Sequence, residues 1–280
     1  MPELPEVETV CRGLAQRLTG RRLVRVLVRR DGLRLPFPQG MALMLTGRVI
    51  ISIRRRAKYI LVHLDDGAVV IAHLGMSGRI IVVDAPLPEL SRHDHVVMET
   101  DDGAVVTFND ARRFGLMVMT TAVELDTHPL LAELGPEPLS PQFTPACLSL
   151  RLAGRKTSIK TVLLDQTVVA GLGNIYVSEA LFHAGISPLR QARMVAGPGA
   201  GLLVSAIRRV LTAAIAAGGS SLRDYVQPSG ELGYFQHSFA VYDREGAPCP
   251  GCVCDVVATG GVLRMSQAGR STYYCPRRQE

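Results

Sequence analysis

The sequence lacks the features that mark membrane, secreted and fibrous proteins. No apolar run reaches the ~18–20 residues that a membrane-spanning helix needs. The first residues are acidic, whereas a signal peptide begins with a basic segment. Internal repeats and low-complexity tracts are also missing from the chain. We therefore expect a globular, cytoplasmic protein that has no membrane partner.

Composition narrows the class of partner. The 280 residues are 47% apolar and 20% charged, which allows one large domain or two to three smaller ones with an ample core. The formal net charge is +6 and the isoelectric point is about 9.2. A basic excess of this size favours an anionic partner, and nucleic acid fits it better than a membrane surface.

The first 125 residues alternate between a helical and an extended pattern. Residues 5–17 carry an apolar stripe at helical spacing, which predicts one helix. From Leu23 onward the period changes to two, and Asp66-Gly67 and Asp102-Gly103 are hairpin signals. The expected strands then lie within residues 23–28, 48–64, 68–74, 95–100, 104–108 and 114–120. This pattern predicts a helix laid against a β-sandwich or barrel that is built from hairpins.

The remainder of the chain changes character twice. Five prolines crowd residues 126–145, which is typical of a linker or hinge. Residues 146–238 are helical in pattern, with helices expected near 145, at 158–166, 175–184 and 202–217. A glycine-rich loop follows from Gly218 to about Gln236, and loops of this kind are often functional. Residues 239–280 form a separate C-terminal segment that contains four of the six cysteines.

The chain begins with Met1-Pro2-Glu3-Leu4-Pro5-Glu6. Methionine before proline is usually removed, and the free amine of Pro2 would then titrate near pH ~7.7–8.0. Such an amine is partly neutral at cellular pH and can attack a sugar C1′ to form an imine, while Glu3 could move protons. The alternative is an ordinary helix that begins at Pro5, with acids that suit the helix dipole.

The cysteines are unevenly placed. Cys11 and Cys147 are isolated, whereas Cys249, Cys252, Cys254 and Cys275 cluster near the C-terminus. In a cytosolic chain this clustering indicates a metal site before it indicates disulfides.

Eight separated motifs occur in order along nearly the whole chain. They are MPELPEVET at 1–9, Lys58 within RRAKYILVHL, HLGMSGR at 73–79, NDARRFG at 109–115, DQTVVAGLGNIYVSEALF at 165–182, GGSSLRDY at 218–225, GYFQHSFAVYDREGAPC at 233–249 and GRSTYYCP at 269–276. With these motifs the chain resembles the bacterial formamidopyrimidine-DNA glycosylase family. The related endonuclease VIII branch, which prefers oxidised pyrimidines, is less similar, because Leu4 and the PEVET continuation match the purine branch.

The resemblance implies an α+β multidomain fold and a DNA-repair activity. The expected domains are an N-terminal β-sandwich with a flanking helix (1–125), a hinge (126–145), a helix-two-turns-helix domain with a lesion loop (146–238) and a zinc-finger-type β-hairpin (239–280). The family would remove oxidised purines such as 8-oxoguanine and formamidopyrimidines from double-stranded DNA, bound in a cleft between the halves. It would then cut the abasic site by β,δ-elimination. A monomer is expected.

The resemblance also assigns residues. The expected catalytic group is Pro2, Glu3, Lys58 and Arg270, and the last two are also expected to contact phosphates near the lesion. Met76 and Phe114 would wedge into the gap that an everted base leaves, and Arg112 would reach the edge of the orphaned partner base. His73, Lys160, Asn174 and Tyr242 are further candidates for DNA contact. Simpler interpretations are that Met76 and Phe114 plug the core, that Lys58 lies on a solvated strand, and that Asn174 is a helix N-cap.

The metal site departs from the family pattern of two C-x2-C pairs about sixteen residues apart. Cys249 and Cys252 form the first pair, but 22 residues separate Cys252 from Cys275, and Arg278 stands where the fourth cysteine is expected. A structural Zn²⁺ requires four ligands. Either Cys254 completes a site with Cys249, Cys252 and Cys275, or the hairpin stands without metal.

Two other functions stay open from the sequence. One is the oxidised-pyrimidine activity of the endonuclease VIII branch. The other is a non-catalytic DNA-binding protein that keeps the helical domain and the finger but lacks an active amine.

Overall fold

A computed structural model describes residues 1–86, 89–221, 227–228, 230–253 and 255–279. It divides into two compact units. Unit 1 comprises Met1–Ala132 with Ala217–Gln236, and unit 2 comprises Glu133–Ala216 with His237–Glu280. The expected α+β class is confirmed, with sheets in unit 1 and helices followed by a hairpin in unit 2.

Unit 1 is a sandwich of two antiparallel four-stranded sheets. One sheet has the order β1-β6-β7-β5 and the other has the order β2-β3-β4-β8. Inward-facing apolar side chains of both sheets form one core with the stripe of the N-terminal helix. The elements are α1 (Leu4–Leu18), β1 (Leu23–Val28), α2 (Met41–Leu45), β2 (Ile50–Arg56), β3 (Tyr59–Leu64), β4 (Ala68–His73), β5 (Arg79–Asp84), β6 (Asp94–Thr100), β7 (Ala104–Asn109) and β8 (Leu116–Thr121).

Helix α1 packs along β2 in the opposite direction. Glu3 is its N-cap, and its stripe from Val7 to Leu18 is buried, as the spacing predicts. Glu8 accepts a hydrogen bond from Arg55 at 2.8 Å, and the Cys11 thiol reaches the carbonyl of Arg54 at 3.5 Å. These two contacts place the beginning of α1 at the end of β2 that leads into β3.

The segment 48–64 is two strands and not one. A two-residue turn, Ala57-Lys58, separates β2 from β3, with Arg56 paired to Tyr59. Ala57 has φ +52°, a left-handed conformation that usually favours glycine or asparagine. The sequence prediction was wrong here because the turn carries none of the residues that signal such turns.

Two loops cross between the sheets at the same edge of the sandwich. Residues 74–78 lead from β4 to β5, and residues 110–115 lead from β7 back to β8. At this edge His73 pairs with Leu116 in one sheet, and Arg79 pairs with Asn109 in the other. The two crossover loops therefore begin and end at matching positions and lie side by side.

Unit 2 is mainly helical. It contains α3 (Pro145–Leu152), α4 (Ile159–Leu163), α5 (Asn174–Ala184) and α6 (Pro198–Ala216). The predicted start of α3 is confirmed, since the Thr144 hydroxyl accepts a hydrogen bond from the Cys147 N–H at 3.1 Å. Helix α4 is shorter than the predicted 158–166.

Helix α6 is long and apolar enough, by length and composition, to cross a membrane. Its residues Ala200, Leu203, Ile207 and Leu211 are buried in the interior of unit 2. The core helix of a globular unit has the same composition, so this helix is weak evidence for a membrane span.

The C-terminal segment of unit 2 ends in a β-hairpin. A short helix α7 (Val256–Thr259) precedes β9 (Leu263–Gln267) and β10 (Arg270–Tyr274), which pair antiparallel. Tyr273, Cys249 and Cys275 belong to a small apolar cluster with Phe182 of α5. We call residues 249–279 the finger.

The segment 217–236 belongs to unit 1 in this structure. Ser220 donates to Glu6, and the Val82 N–H donates to the Pro228 carbonyl at 3.1 Å. The sequence analysis predicted instead that this segment belongs to the domain formed by residues 146–238. The four-part division at 125, 145 and 238 stays a prediction. Residues 222–226 and 229 of the expected lesion loop lie outside the described residues.

Candidate functional site

The N-terminal residues are fixed by one carboxylate. The Glu6 Oε2 atom accepts a hydrogen bond from the Glu3 N–H at 2.8 Å, and its Oε1 atom accepts one from the Ser220 N–H at 2.8 Å. Glu3 and Glu6 are buried, whereas Met1 is 54% exposed. Pro2 thus lies between an exposed, removable methionine and a residue that is held at its backbone.

Gly219 permits the approach of this carboxylate. It has φ +81°, and a Cβ at this position would lie 3.0 Å from the Glu6 Oε1 atom. A larger residue would be strained in its backbone and crowd the carboxylate. The glycine of the GGSS motif is therefore needed because this turn docks onto the start of α1. The sequence analysis did not predict this contact.

Lys58 lies at the same end of unit 1 as Pro2. It occupies the β2–β3 turn, and the packing of α1 on β2 brings the start of the helix to that turn. Lys58 is 7% exposed, so the alternative of a solvated strand position is wrong. Its neighbour Tyr59 pairs across the sheet with His73, which leads into the first crossover loop.

His73 is a neutral group that orients this loop. Burial, together with Lys58 and Arg34, lowers the pKa of His73 to about 4. Its Nδ1 atom accepts a hydrogen bond from the Gly75 N–H at 2.9 Å, so the remaining proton sits on Nε2. At neutral pH His73 can meet a phosphate only as a neutral Nε2–H donor.

Met76, Arg112 and Phe114 project from the two crossover loops. Met76 is 38% exposed, Phe114 is 46% exposed and Arg112 is exposed as well. The guanidinium of Arg112 lies over the Phe114 ring, 5.0 Å from its centroid. The simpler interpretation that Met76 and Phe114 plug the core is therefore wrong. The arrangement offers a thioether, an aromatic ring and a cation at one end of the sandwich.

In unit 2, Lys160 is buried beneath the finger. Its ammonium donates to the Ser271 carbonyl at 2.9 Å and to the Thr272 hydroxyl at 2.6 Å. Lys160 is only 1% exposed, so it has no open surface to offer to a phosphate in this structure. The direct DNA contact predicted for Lys160 stays a prediction, and the structure favours an indirect role through the finger.

Asn174 meets the same carbonyl. Its Nδ2 atom donates to Ser271 at 2.9 Å, and it is the first residue of α5, with Gly173 as the N-cap. The alternative of an asparagine N-cap is wrong. Lys160 and Asn174 together fix the backbone next to Arg270, which is exposed at the start of β10.

Tyr242 packs against the finger through its backbone and its ring. Its N–H donates to the Glu179 carboxylate at 2.8 Å, and its ring meets the Tyr273 ring at 5.1 Å between centroids. Glu179 also accepts the N–H groups of Ala240 and Val241. Burial raises the pKa of Glu179 in spite of these bonds. Sequence reasoning missed Glu179, whose helical position gives no signal of this role.

Three cysteine sulfurs converge at the base of the finger. The Sγ atoms of Cys249, Cys252 and Cys275 lie within 4.8 Å of one another, and those of Cys252 and Cys275 are 3.6 Å apart. Two thiolates on one tetrahedral Zn²⁺, each at ~2.3 Å, would be separated by roughly 3.8 Å. The spacing of these sulfurs therefore fits three of the four ligands of one structural zinc ion.

Arg278 stands beside this cluster and cannot replace a ligand. Its Nη1 atom donates to the Gly251 carbonyl at 2.9 Å, and its guanidinium lies 4.9 Å from the Phe182 ring centroid. Arginine stays protonated and has no lone pair to give to a metal. The proposed fourth ligand, Cys254, lies outside the described residues. Cys252 is disulfide-bonded here and would have to be reduced before it could bind zinc.

Comparison with known proteins identifies the family. The formamidopyrimidine-DNA glycosylase N-terminal domain matches residues 1–117, and the H2TH domain of the same glycosylase matches residues 134–226. The chain belongs to the formamidopyrimidine-DNA glycosylase family.

Curated members of this family match over their full length. The formamidopyrimidine-DNA glycosylase of Rhodospirillum rubrum is 61% identical, and that of Rhodospirillum centenum is 60% identical. In both comparisons all of this chain and all of the relative are covered.

Solved structures of the family superpose closely. The wild-type Lactococcus lactis Fpg, in complex with DNA containing N7-benzyl-Fapy-dG, is 32% identical with a TM-score of 0.89 and full coverage of both chains. MutM from Thermus thermophilus is 40% identical, with a TM-score of 0.86 over 99% of this chain and 98% of that one. The glycosylase family fold therefore accounts for both units of the chain.

Proposed function

We propose that this chain is a DNA glycosylase and abasic-site lyase that removes oxidised purines from duplex DNA. The observation that carries the proposal is the gathering of one set of groups at one end of unit 1. This set comprises Pro2, which Met1 precedes, its neighbour Glu3, the buried Lys58, and the exposed Met76, Arg112 and Phe114. The relatives' substrates support it, because several of the similar structures hold DNA with oxidised purines or abasic sites.

The proposed chemistry starts from the amine of Pro2. Once Met1 is removed, the neutral nitrogen attacks C1′ of the everted nucleotide, and the bond from C1′ to the damaged base breaks. The base leaves as a neutral molecule after it takes up a proton. Glu3 is proposed to supply or accept protons as the sugar ring opens, and its burial next to Pro2 supports this role.

Strand cleavage follows from the imine. The C=N⁺ group acidifies the C2′ protons, and loss of one of them expels the 3′ phosphate by β-elimination. A second elimination expels the 5′ phosphate, and water then releases the sugar fragment from Pro2. Lys58 and Arg270 are proposed to bind the phosphates that leave, because charge must be stabilised where it develops.

The groups on the two loops are proposed to hold the duplex open. Taking a base out of the stack costs a few kcal/mol, and an apolar wedge offsets this cost by filling the gap. Met76 and Phe114 would enter the stack, while the Arg112 guanidinium would reach the edge of the orphaned partner base. Their exposure supports this role.

The reduced cluster of Cys249, Cys252 and Cys275 would hold a zinc ion that crosslinks the base of the finger. A zinc ion in such a site supplies folding energy and no chemistry. The expected location of the protein is the cytoplasm, in association with the nucleoid.

A cleavage assay tests the function directly. The protein is incubated with duplexes that carry 8-oxoguanine opposite each of the four bases, and the cut ends are mapped. The proposal predicts a gap flanked by phosphates at both ends. Binding without cleavage would support a non-catalytic DNA-binding protein, and preferential cleavage at oxidised pyrimidines would support the endonuclease VIII-like activity.

A further inference from the structure

The two crossover loops touch through their backbones. Gly75 has φ +62°, and a Cβ at this position would lie 2.4 Å from the Gly115 nitrogen and from the Phe114 carbonyl carbon. Only glycine permits so close an approach. The loop that carries Met76 and the loop that carries Phe114 are thus in direct contact.

A single buried carboxylate joins these loops. Asp110 is fully buried, and its Oδ1 atom accepts a hydrogen bond from the Ser77 hydroxyl at 2.6 Å. Its Oδ2 atom accepts one from the Gly115 N–H at 2.7 Å. The Ser77 oxygen in turn accepts the Arg112 N–H at 3.1 Å. One continuous network therefore runs between the two loops.

The network holds the backbone at the positions that flank the exposed side chains. Ser77 follows Met76, and Gly115 follows Phe114. Arg113, between Arg112 and Phe114, has φ +61°, an uncommon conformation for a residue with a side chain. Two short hydrogen bonds to one buried carboxylate can hold such a loop in place.

We propose that Asp110 and Ser77 are positioning residues that set the spacing between Met76 and Phe114. The inference rests on the proposed function, in which these two side chains enter the base stack. A wedge opens the stack only if its two parts are held at a fixed distance, within about 0.5 Å of the productive geometry. Asp110 and Ser77 touch no substrate in this account and act through the loops.

The test separates base removal from strand cleavage. Ser77→Ala is expected to slow 8-oxoguanine excision from duplex DNA about tenfold, the size of effect that loss of one buried hydrogen bond can have. The same variant should cut a preformed abasic site in single-stranded DNA at the wild-type rate, because no base has to leave a stack there. Asp110→Asn should slow excision more strongly than Ser77→Ala does, and it should also leave cleavage of the preformed abasic site unchanged.

Thr100→Ala is the matched control. The Thr100 hydroxyl donates to the Asp102 carboxylate at 2.6 Å, the same kind and length of bond, in the β6–β7 turn. This variant should lose thermal stability like Ser77→Ala and keep both activities. If Ser77→Ala and Thr100→Ala lower excision equally, or if Ser77→Ala slows both reactions alike, the positioning role is wrong.

Met76→Ala distinguishes failure of this inference from failure of the proposed function. If Met76→Ala slows excision and Ser77→Ala does not, the wedge stands and the positioning role falls. If Met76→Ala leaves excision unchanged, the wedge role itself fails, and the positioning role fails with it.

Discussion

The Glu6 carboxylate binds the backbone N–H of Ser220, 214 residues further along the chain, at 2.8 Å. Its other oxygen binds the N–H of Glu3, next to the proposed nucleophile, at the same distance. One side chain therefore fixes both the N-terminus and the turn at 218–221. We therefore expect a shift of that turn to move Pro2, and under the proposed function Glu6 acts as a positioning residue for the imine chemistry.

Replacing Glu6 by glutamine should uncouple the two segments. Glutamine keeps one acceptor oxygen, but its NH₂ group would face an N–H donor and leave it unsatisfied, at a cost of about 1–3 kcal/mol. We expect Glu6→Gln to slow borohydride trapping on abasic DNA about tenfold or more. The control is Glu8→Gln on the same helix, which loses ion pairs to Arg12 and Arg55 but should trap normally. Equal trapping rates for both variants would contradict the assignment.

The neutral state of His73 predicts a pH effect on stability. Its pKa of about 4 lies below the ~6.5 of an unfolded chain, so the unfolded state binds the proton first as pH falls. The stability from neutral His73 is complete above about pH 6.5 and is lost progressively between ~6.5 and ~4. His73→Gln should flatten the pH dependence of the urea midpoint in this window. An unchanged slope would show that His73 is not the titrating group.

Lys160 and Arg270 should not act independently on DNA affinity. Lys160 binds the Ser271 carbonyl and thereby fixes the backbone beside Arg270. Arg270→Ala should weaken binding to an abasic-site analogue and reduce the salt slope by about 0.9 for one lost phosphate contact. When Lys160→Met is added to Arg270→Ala, the double variant should lose no more than about 0.5 kcal/mol of further binding free energy. Additive losses from the two changes would mean that Lys160 contacts DNA itself.

Zinc content should depend on reduction. Fully reduced protein is expected to hold about one zinc ion per chain, because structural sites fill stoichiometrically. Oxidised protein should hold less, since Cys252 is then withdrawn from the cluster. Arg278→Cys would restore the expected fourth ligand and should slow zinc loss to a chelator. Less than about 0.2 zinc per chain in reduced wild-type protein would end the zinc assignment.

Local sequence signals predicted much of the fold. The buried stripe of α1 and the Thr144 cap of α3 were read from residue spacing alone. The turns at Asp66-Gly67 and Asp102-Gly103 connect β3 to β4 and β6 to β7, as their residue types predict. In each case the stabilising contact lies within a few residues along the chain.

Features that depend on distant contacts were missed. The Ala57-Lys58 turn has no glycine or asparagine, and Ala57 is buried there with φ +52°. The five-residue helix α2 is too short to show a helical period. Sequence spacing therefore did not locate the turn that carries a candidate catalytic lysine.

The sequence predicted which residues form the candidate site, but it predicted their exposure and contacts only in part. The family motifs identified Met76 and Phe114 as candidate wedge residues. Only the structure shows that both side chains are exposed. The sequence analysis also predicted that Lys160 contacts DNA, whereas the structure shows its ammonium buried under the finger. The partners Asp110 and Ser77 are 33 residues apart, and no local pattern links such a pair.

Identification of the atom that joins the DNA tests the central claim most directly. The protein is incubated with a duplex that carries 8-oxoguanine, reduced with borohydride, digested and analysed by mass spectrometry. The account predicts a covalent adduct on the N-terminal peptide, with Met1 absent and the sugar attached to the nitrogen of Pro2. An adduct on Lys58, or cleavage by a chain that retains Met1, would contradict it.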